Sequence, residues 1–129
     1  MKKSVLVLSC LLCLSSAPAI AKDYINDIKF TFKEPEVSLS GGVVRGDRDV
    51  YCLNGQKGCR LLISFSSLEN NGALEVSALA DGVNIAGSVE QTSDGFNWIG
   101  VLPVSGAYRI VISSCRGNLT YRAKVAVYE

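Results

Sequence analysis

The sequence predicts an all-β fold, a small β-sandwich or jelly roll of about eight strands. Three observations lead there. Apolar and polar residues alternate with period two through most of the chain, as half-buried strands require. Glycine, asparagine and aspartate turn signals separate those runs at intervals of roughly 8–12 residues. After residue 21, no stretch places apolar residues at i, i+3, i+4 and i+7, so no amphipathic helix is expected.

The chain of 129 residues opens with a different pattern. Met1-Lys2-Lys3 is a short basic start, Val5–Leu14 is an apolar run, and Ala19-Ile20-Ala21 has the small-x-small form that a signal peptidase cuts. The run is too short to span a membrane, which takes about 20 apolar residues. Residues 1–21 are therefore expected to be a cleaved signal peptide, and residues 22–129 one exported domain, periplasmic or secreted. Cleavage removes Lys2, Lys3, Cys10 and Cys13 and tips the formal charge from +1 to −1. A near-neutral chain without a basic run excludes nucleic acid as the main partner, and the domain is not expected to sit in a membrane.

Past the cleavage point, residues 22–26 carry no pattern and are expected to be loose. Ile28-Lys29-Phe30-Thr31-Phe32-Lys33 alternates as a strand does, and Val37 and Leu39 continue it up to Gly41-Gly42. Leu61, Ile63 and Phe65 form the next face, followed by the turn Asn70-Asn71-Gly72. Leu74, Val76 and Ala78 come next and are closed by Asp81-Gly82. Phe96 and Trp98 follow Ser93-Asp94-Gly95, and Trp98 is expected to plug the core. Tyr108, Ile110 and Ile112 follow Ser105-Gly106, and Tyr121, Ala123, Val125 and Val127 form the last strand.

Composition limits the chemistry. The chain has no histidine, which removes imidazole bases, Ser-His and Cys-His nucleophiles and the commonest metal ligand. There is no phosphate-cradling glycine loop and no Gly-x-Ser-x-Gly. No enzyme, metal or cofactor is expected. Asp47 and Asp49 flank Arg48 but lack a ligand loop, so they are expected to be strand-edge charge. Arg45-Gly46-Asp47 is expected to be a polar turn, and Asn118-Leu119-Thr120 fits a glycosylation acceptor only in a eukaryotic secretory pathway.

Three cysteines remain and permit three pairings. Cys52 and Cys59 enclose a short polar loop with Gly55 and Gly58, and in a hairpin they would face each other as an oxidising compartment would close them. That leaves Cys115 beside Arg116 at the end of a strand. It is either a partly buried small hydrophobe or a reactive thiol able to link two copies. Arg116 and Gly117 then occupy a turn, which is either a plain strand end or a finger that offers a partner the five donors of a guanidinium.

Three segments carry a resemblance, the third being a last strand with Tyr121 and alternating apolar residues. Tyr51-x6-Gly58-x-Arg60-Leu61-x-Ile63-Ser64 and Trp98-x-Gly100-x-Leu102-Pro103-x-Ser105-Gly106-x-Tyr108-x-Ile110 resemble segments of pre-peptidase C-terminal-like domains. Within those domains they resemble the periplasmic inhibitors of g-type lysozyme. The resemblance covers most of residues 43–129 and implies a β-sandwich that binds a protein partner, a g-type lysozyme or other muramidase. It implies that the loop after the Ser-Gly-x-Tyr strand enters the enzyme cleft with two arginines four residues apart, helped by a tyrosine from the other hairpin. The first arginine position is Arg116 and the tyrosine position is Tyr51, whereas the second arginine position is Thr120. The family's glutamine after the hairpin glycine is Cys59. With the arginine pair broken, the competing function is a glycan- or envelope-binding module without inhibitory action, or a dimer linked through Cys115.

Overall fold

A computed structural model describes residues 22–30 and 35–129. The expected signal peptide, residues 1–21, lies outside them. The described residues form nine strands and no helix: β1 (Asp23–Asp27), β2 (Glu36–Val43), β3 (Arg48–Gly55), β4 (Arg60–Ser67), β5 (Gly72–Ala78), β6 (Ser88–Gln91), β7 (Gly95–Val101), β8 (Gly106–Ser114) and β9 (Leu119–Tyr128). They make two sheets, one in the order β1-β3-β8-β5 and the other β2-β9-β4-β7-β6. Every pairing is antiparallel except β1 with β3.

The predicted alternation sets which side chains enter the space between the sheets. Leu61, Ile63 and Phe65 of β4 face the core with Tyr121, Ala123 and Val125 of β9, against Tyr108, Ile110 and Ile112 of β8. Trp98 is 6% exposed and fills the core as expected. Its ring is seated where Gly87 and Gly100 leave room: a Cβ at either would lie 2.3 or 2.5 Å from a ring carbon.

Three expectations are corrected. Residues 22–26 are not loose, because Asp23–Asp27 adds a parallel edge strand to β3. Arg48 fixes it by donating to both carboxylate oxygens of Asp23, at 2.8 and 2.7 Å. The strand expected over 28–33 does not form over its described part, residues 28–30; Ile28 is instead a buried core residue of the connection, and residues 31–33 lie outside the description. The short, fully exposed edge strands β1 and β6 were not expected, and with them the described residues form nine strands, in keeping with the expected small sandwich of about eight.

The third concerns the cysteines. Cys52 and Cys59 are free thiols, not a disulfide. No hairpin joins β3 to β4, since the connection at residues 56–59 crosses from one sheet to the other. Alternation puts Cys52 on the outer side of its sheet, opposite to core-facing Tyr51 and Leu53, whereas Cys59 packs against the core. The staple expected from spacing is replaced by backbone pairing: Leu102 N donates to the Cys59 carbonyl and Gly58 N to the Leu102 carbonyl.

The Ser105-Gly106-x-Tyr108 segment also has a structural reason. Tyr108 is fully buried, and its hydroxyl turns back to bond both the carbonyl and the N–H of Val104. Ser105 Oγ accepts from Lys57 N at 2.9 Å, tying this corner to the β3–β4 crossover. The segment fixes the fold at the end of the sandwich opposite to Arg116.

Candidate functional site

Four connections gather at the other end: residues 44–47, 68–71, 92–94 and 115–118. The third is tied to the end of β4, just before the second, by a bond from Ser67 N to the Asp94 carbonyl. The loop carrying Arg116 forms because Ser114 stops the strand. Ser114 Oγ accepts from Arg116 N at 3.1 Å and donates to the Arg116 carbonyl at 2.7 Å, a local alternative to the sheet ladder. Gly117 then takes φ +60°, a left-handed conformation that side chains resist.

Asn71 locks this loop from below. It is 1% exposed, and its Nδ2 donates to the carbonyls of Arg116 and Asn118, each at 2.9 Å. Its own carbonyl accepts from Cys115 N, and its N–H is held by Ser67 Oγ. A buried amide with these partners leaves the loop one backbone path. In the sequence Asn71 reads only as a turn residue, between Asn70 and a glycine; in the structure the turn has Asn70 at φ +50°.

The Arg116 side chain is exposed, with Nη2 donating to the Glu69 carbonyl at 3.2 Å. Among the described residues it has no carboxylate partner. Cys115 is exposed rather than partly buried, its Sγ 3.7 Å from the Gly72 carbonyl. Thr120 is exposed in β9, and its carbonyl accepts from Leu68 N at 3.4 Å. Leu68 is 87% exposed, an apolar side chain left in water on the connection that bonds both Thr120 and Arg116. Arg116, Gly117 and Thr120 are thus brought together at one end, with Leu68, which the sequence did not single out, and Arg45, expected only as part of a polar turn, as neighbours.

Tyr51 is not with them on the surface. Its ring lies in the core, 7% exposed, and its hydroxyl is 2.5 Å from that of Tyr121. Tyr121 donates to Asp49 Oδ2 at 2.6 Å, so Tyr51 is the donor to Tyr121. Burial, then the hydrogen bond to the Asp49 carboxylate, pushes the Tyr121 hydroxyl far above the ordinary tyrosine range; burial also raises that of Tyr51. This chain braces the base of β9, which carries the Arg116 loop at its start. One side of it, with Asp49 and Tyr51, lines a groove of about 730 Å³ along the open seam between β1 and β2.

The outer face of the five-stranded sheet carries a second polar feature. Cross-strand register sets Lys124 between Ser38 and Ser64, and Arg122 between Ser40 and Ser66. These residues line a groove of about 710 Å³ together with Asn97 and Asp94. Asp47 is held by Lys22 N and by the Tyr24 hydroxyl, and among the described residues no group of three histidine, cysteine or acidic side chains is placed to hold a metal.

Two sheets of four and five strands around one aromatic-rich core define the class, a small β-sandwich. Solved structures of this fold include the Aeromonas hydrophila PliG, a periplasmic inhibitor of g-type lysozyme, with a TM-score of 0.67 at 20% identity over 83% of this chain and 98% of that one. A mutant of the Escherichia coli PliG superposes at 0.63 with 14% identity, over 83% and 98% of the two chains. The pre-peptidase C-terminal domain of a Bacillus anthracis collagenase follows at 0.57 with 16% identity, over 86% and 99%. Neither a family model nor a curated protein sequence matches the chain.

Proposed function

We propose that the protein is an exported inhibitor of a lysozyme-type muramidase, that residues 22–129 are its single working domain once residues 1–21 are cleaved, and that it acts in the periplasm or outside the cell. The 115–120 loop enters the enzyme cleft. Arg116 presents its guanidinium to carboxylates there, Gly117 permits the turn, Thr120 flanks the entry, and Tyr51 acts from inside by bracing β9. The protein is a binder and not an enzyme.

The observation that carries this reading is the Arg116 loop itself, exposed at its tip and fixed by buried Asn71 at its base. A loop already held in one conformation loses little entropy on docking, and an arginine with an apolar neighbour such as Leu68 is a common binding hot spot. Glycosidase clefts need paired carboxylates, which a guanidinium meets in bidentate fashion. The shared sandwich with the PliG inhibitors supports the choice of partner. The test is clearing of a peptidoglycan suspension by g-, c- and i-type lysozymes with and without the protein. Stoichiometric inhibition of the g-type enzyme is expected, and clearing by all three at undiminished rate would remove the reading.

A second reading is a glycan-binding module without inhibitory action, supported by the groove in which serines flank Arg122 and Lys124. Retention on insoluble peptidoglycan, lost in Arg122→Ala, together with no effect on any lysozyme, would favour it.

A further inference from the structure

The Arg45-Gly46-Asp47 turn has no role in the reading above, yet the structure places it beside the Arg116 loop. Arg45 N donates to Asn118 Oδ1 at 3.0 Å, and the Asn118 carbonyl shares the Asn71 amide with that of Arg116. The β2–β3 and β8–β9 connections are therefore bolted to each other through Asn118 and to the core through Asn71. Arg45 N bonds the side chain of Asn118, which lies two residues from Arg116, a chain span of at most about 7 Å, so the two turns are neighbours at this end.

The two turns also share a design. Each arginine is followed at once by a left-handed glycine, Gly46 at φ +91° and Gly117 at φ +60°. The Asp47 N–H closes the first turn on the Val44 carbonyl. Both arginines are exposed, and among the described residues neither has a carboxylate partner. Arg48 nearby is different, because Asp23 occupies its guanidinium. Of the acidic groups at this end, Asp47 is held by Lys22 N and the Tyr24 hydroxyl, and Arg116 touches Glu69 only through its carbonyl.

We propose that Arg45 and Arg116 form one two-guanidinium docking surface, built for a partner that presents clustered carboxylates. The proposal rests on the inhibitor reading for the identity of the partner, but the surface is defined by its own chemistry. Two planar forks on separate, mutually bonded turns bind two carboxylates at once, and each gains from the other because the second contact needs no further ordering. Arg45 supplies from a different loop the second positive charge that Thr120 does not provide. Exposed apolar side chains flank both arginines in sequence or contact: Val44, 61% exposed, precedes Arg45, and Leu68 precedes Glu69, whose carbonyl accepts from Arg116.

Two measurements decide it. In the first, citrate is titrated into the 15N-labelled protein at constant ionic strength, with the arginine Nε–Hε resonances observed. Those of Arg45 and Arg116 are expected to shift with one common Kd while that of Arg60, at the opposite end, stays still. Arg45→Ala should weaken the Arg116 response at least five-fold, and Arg116→Ala the Arg45 response likewise. Arg45 resonances that do not move, or an Arg116 response unchanged in Arg45→Ala, would overturn the proposal. In the second, inhibition of g-type lysozyme is compared for wild type, the two single variants and the double variant. A coupled loss supports the surface, and full inhibition by Arg45→Ala overturns it while leaving the inhibitor reading intact. If no variant and no wild type inhibits, the inhibitor reading falls and the citrate titration alone judges the surface.

Discussion

Asn71 is the residue on which the shape of the Arg116 loop depends. Asn71→Ala removes both donors from the carbonyls of Arg116 and Asn118 and leaves a small void, whereas Asn71→Asp keeps the shape but replaces the donating amide with a carboxylate. A loss of about 1–3 kcal/mol in urea unfolding is expected for Asn71→Ala. The amide of Cys115, which bonds the Asn71 backbone, should then exchange faster than amides in mid-β8. Tyr121 makes a second test. Above the ordinary tyrosine pKa of about 10, the folded chain keeps protons on Tyr51 and Tyr121 that the unfolded chain has released. Stability is then whole below that pH and falls as pH rises beyond it. Tyr121→Phe should start about 1–3 kcal/mol lower at neutral pH, because Asp49 and Tyr51 lose a partner, and should decline less steeply in alkali. Parallel curves for the two proteins would contradict this account of the chain.

Among the elements, the interior strands were legible because each face carries large apolar residues at alternate positions, as in Leu61-Ile63-Phe65 and Tyr108-Ile110-Ile112. The edge strands β1 and β6 were not, since every residue in them is exposed and nothing alternates. They form through backbone pairing and, for β1, the Arg48–Asp23 fork, and no burial signal records that. This predicts a pH response: the Arg48 hydrogen bond holds the Asp23 carboxyl below the usual aspartate range, so pairing of β1 is complete above that range and weakens as pH falls through the lowered value. Amide protection of Tyr24 and Asn26, whose N–H groups face β3, at pH 6 and pH 3 checks it, and loss of protection at the lower pH is expected. The cysteine spacing misled for a topological reason. A seven-residue separation suits a hairpin, but consecutive strands of a sandwich need not share a sheet. Three free thiols are therefore expected, with Cys115 reacting first with a thiol reagent under native conditions and Cys52 and Cys59 more slowly. Release of a single thiol after unfolding in denaturant would show that the other two are bonded.

Across the molecule, the two ends of the sandwich have different tasks. The end with Tyr108, Val104 and the β3–β4 crossover is tied by side-chain to backbone bonds that fix the fold, and the Ser-Gly-x-Tyr resemblance arises there. The opposite end presents arginines on short, braced turns. Arg116 and Gly117 were visible in the sequence as a strand-ending loop, and the resemblance pointed to Thr120. The contribution of Asn71, Leu68 and Arg45 was hidden, because it comes from residues 45 or more positions from Arg116 that only the sheet order brings together. The most direct measurement is calorimetric titration of the mature protein and of Arg116→Ala into a g-type lysozyme. A one-to-one complex is predicted, weakened in the variant by about 2 kcal/mol, roughly 30-fold in Kd. No heat of binding, or an affinity that Arg116→Ala leaves unchanged, would contradict the claim that this loop is the inhibitor's finger.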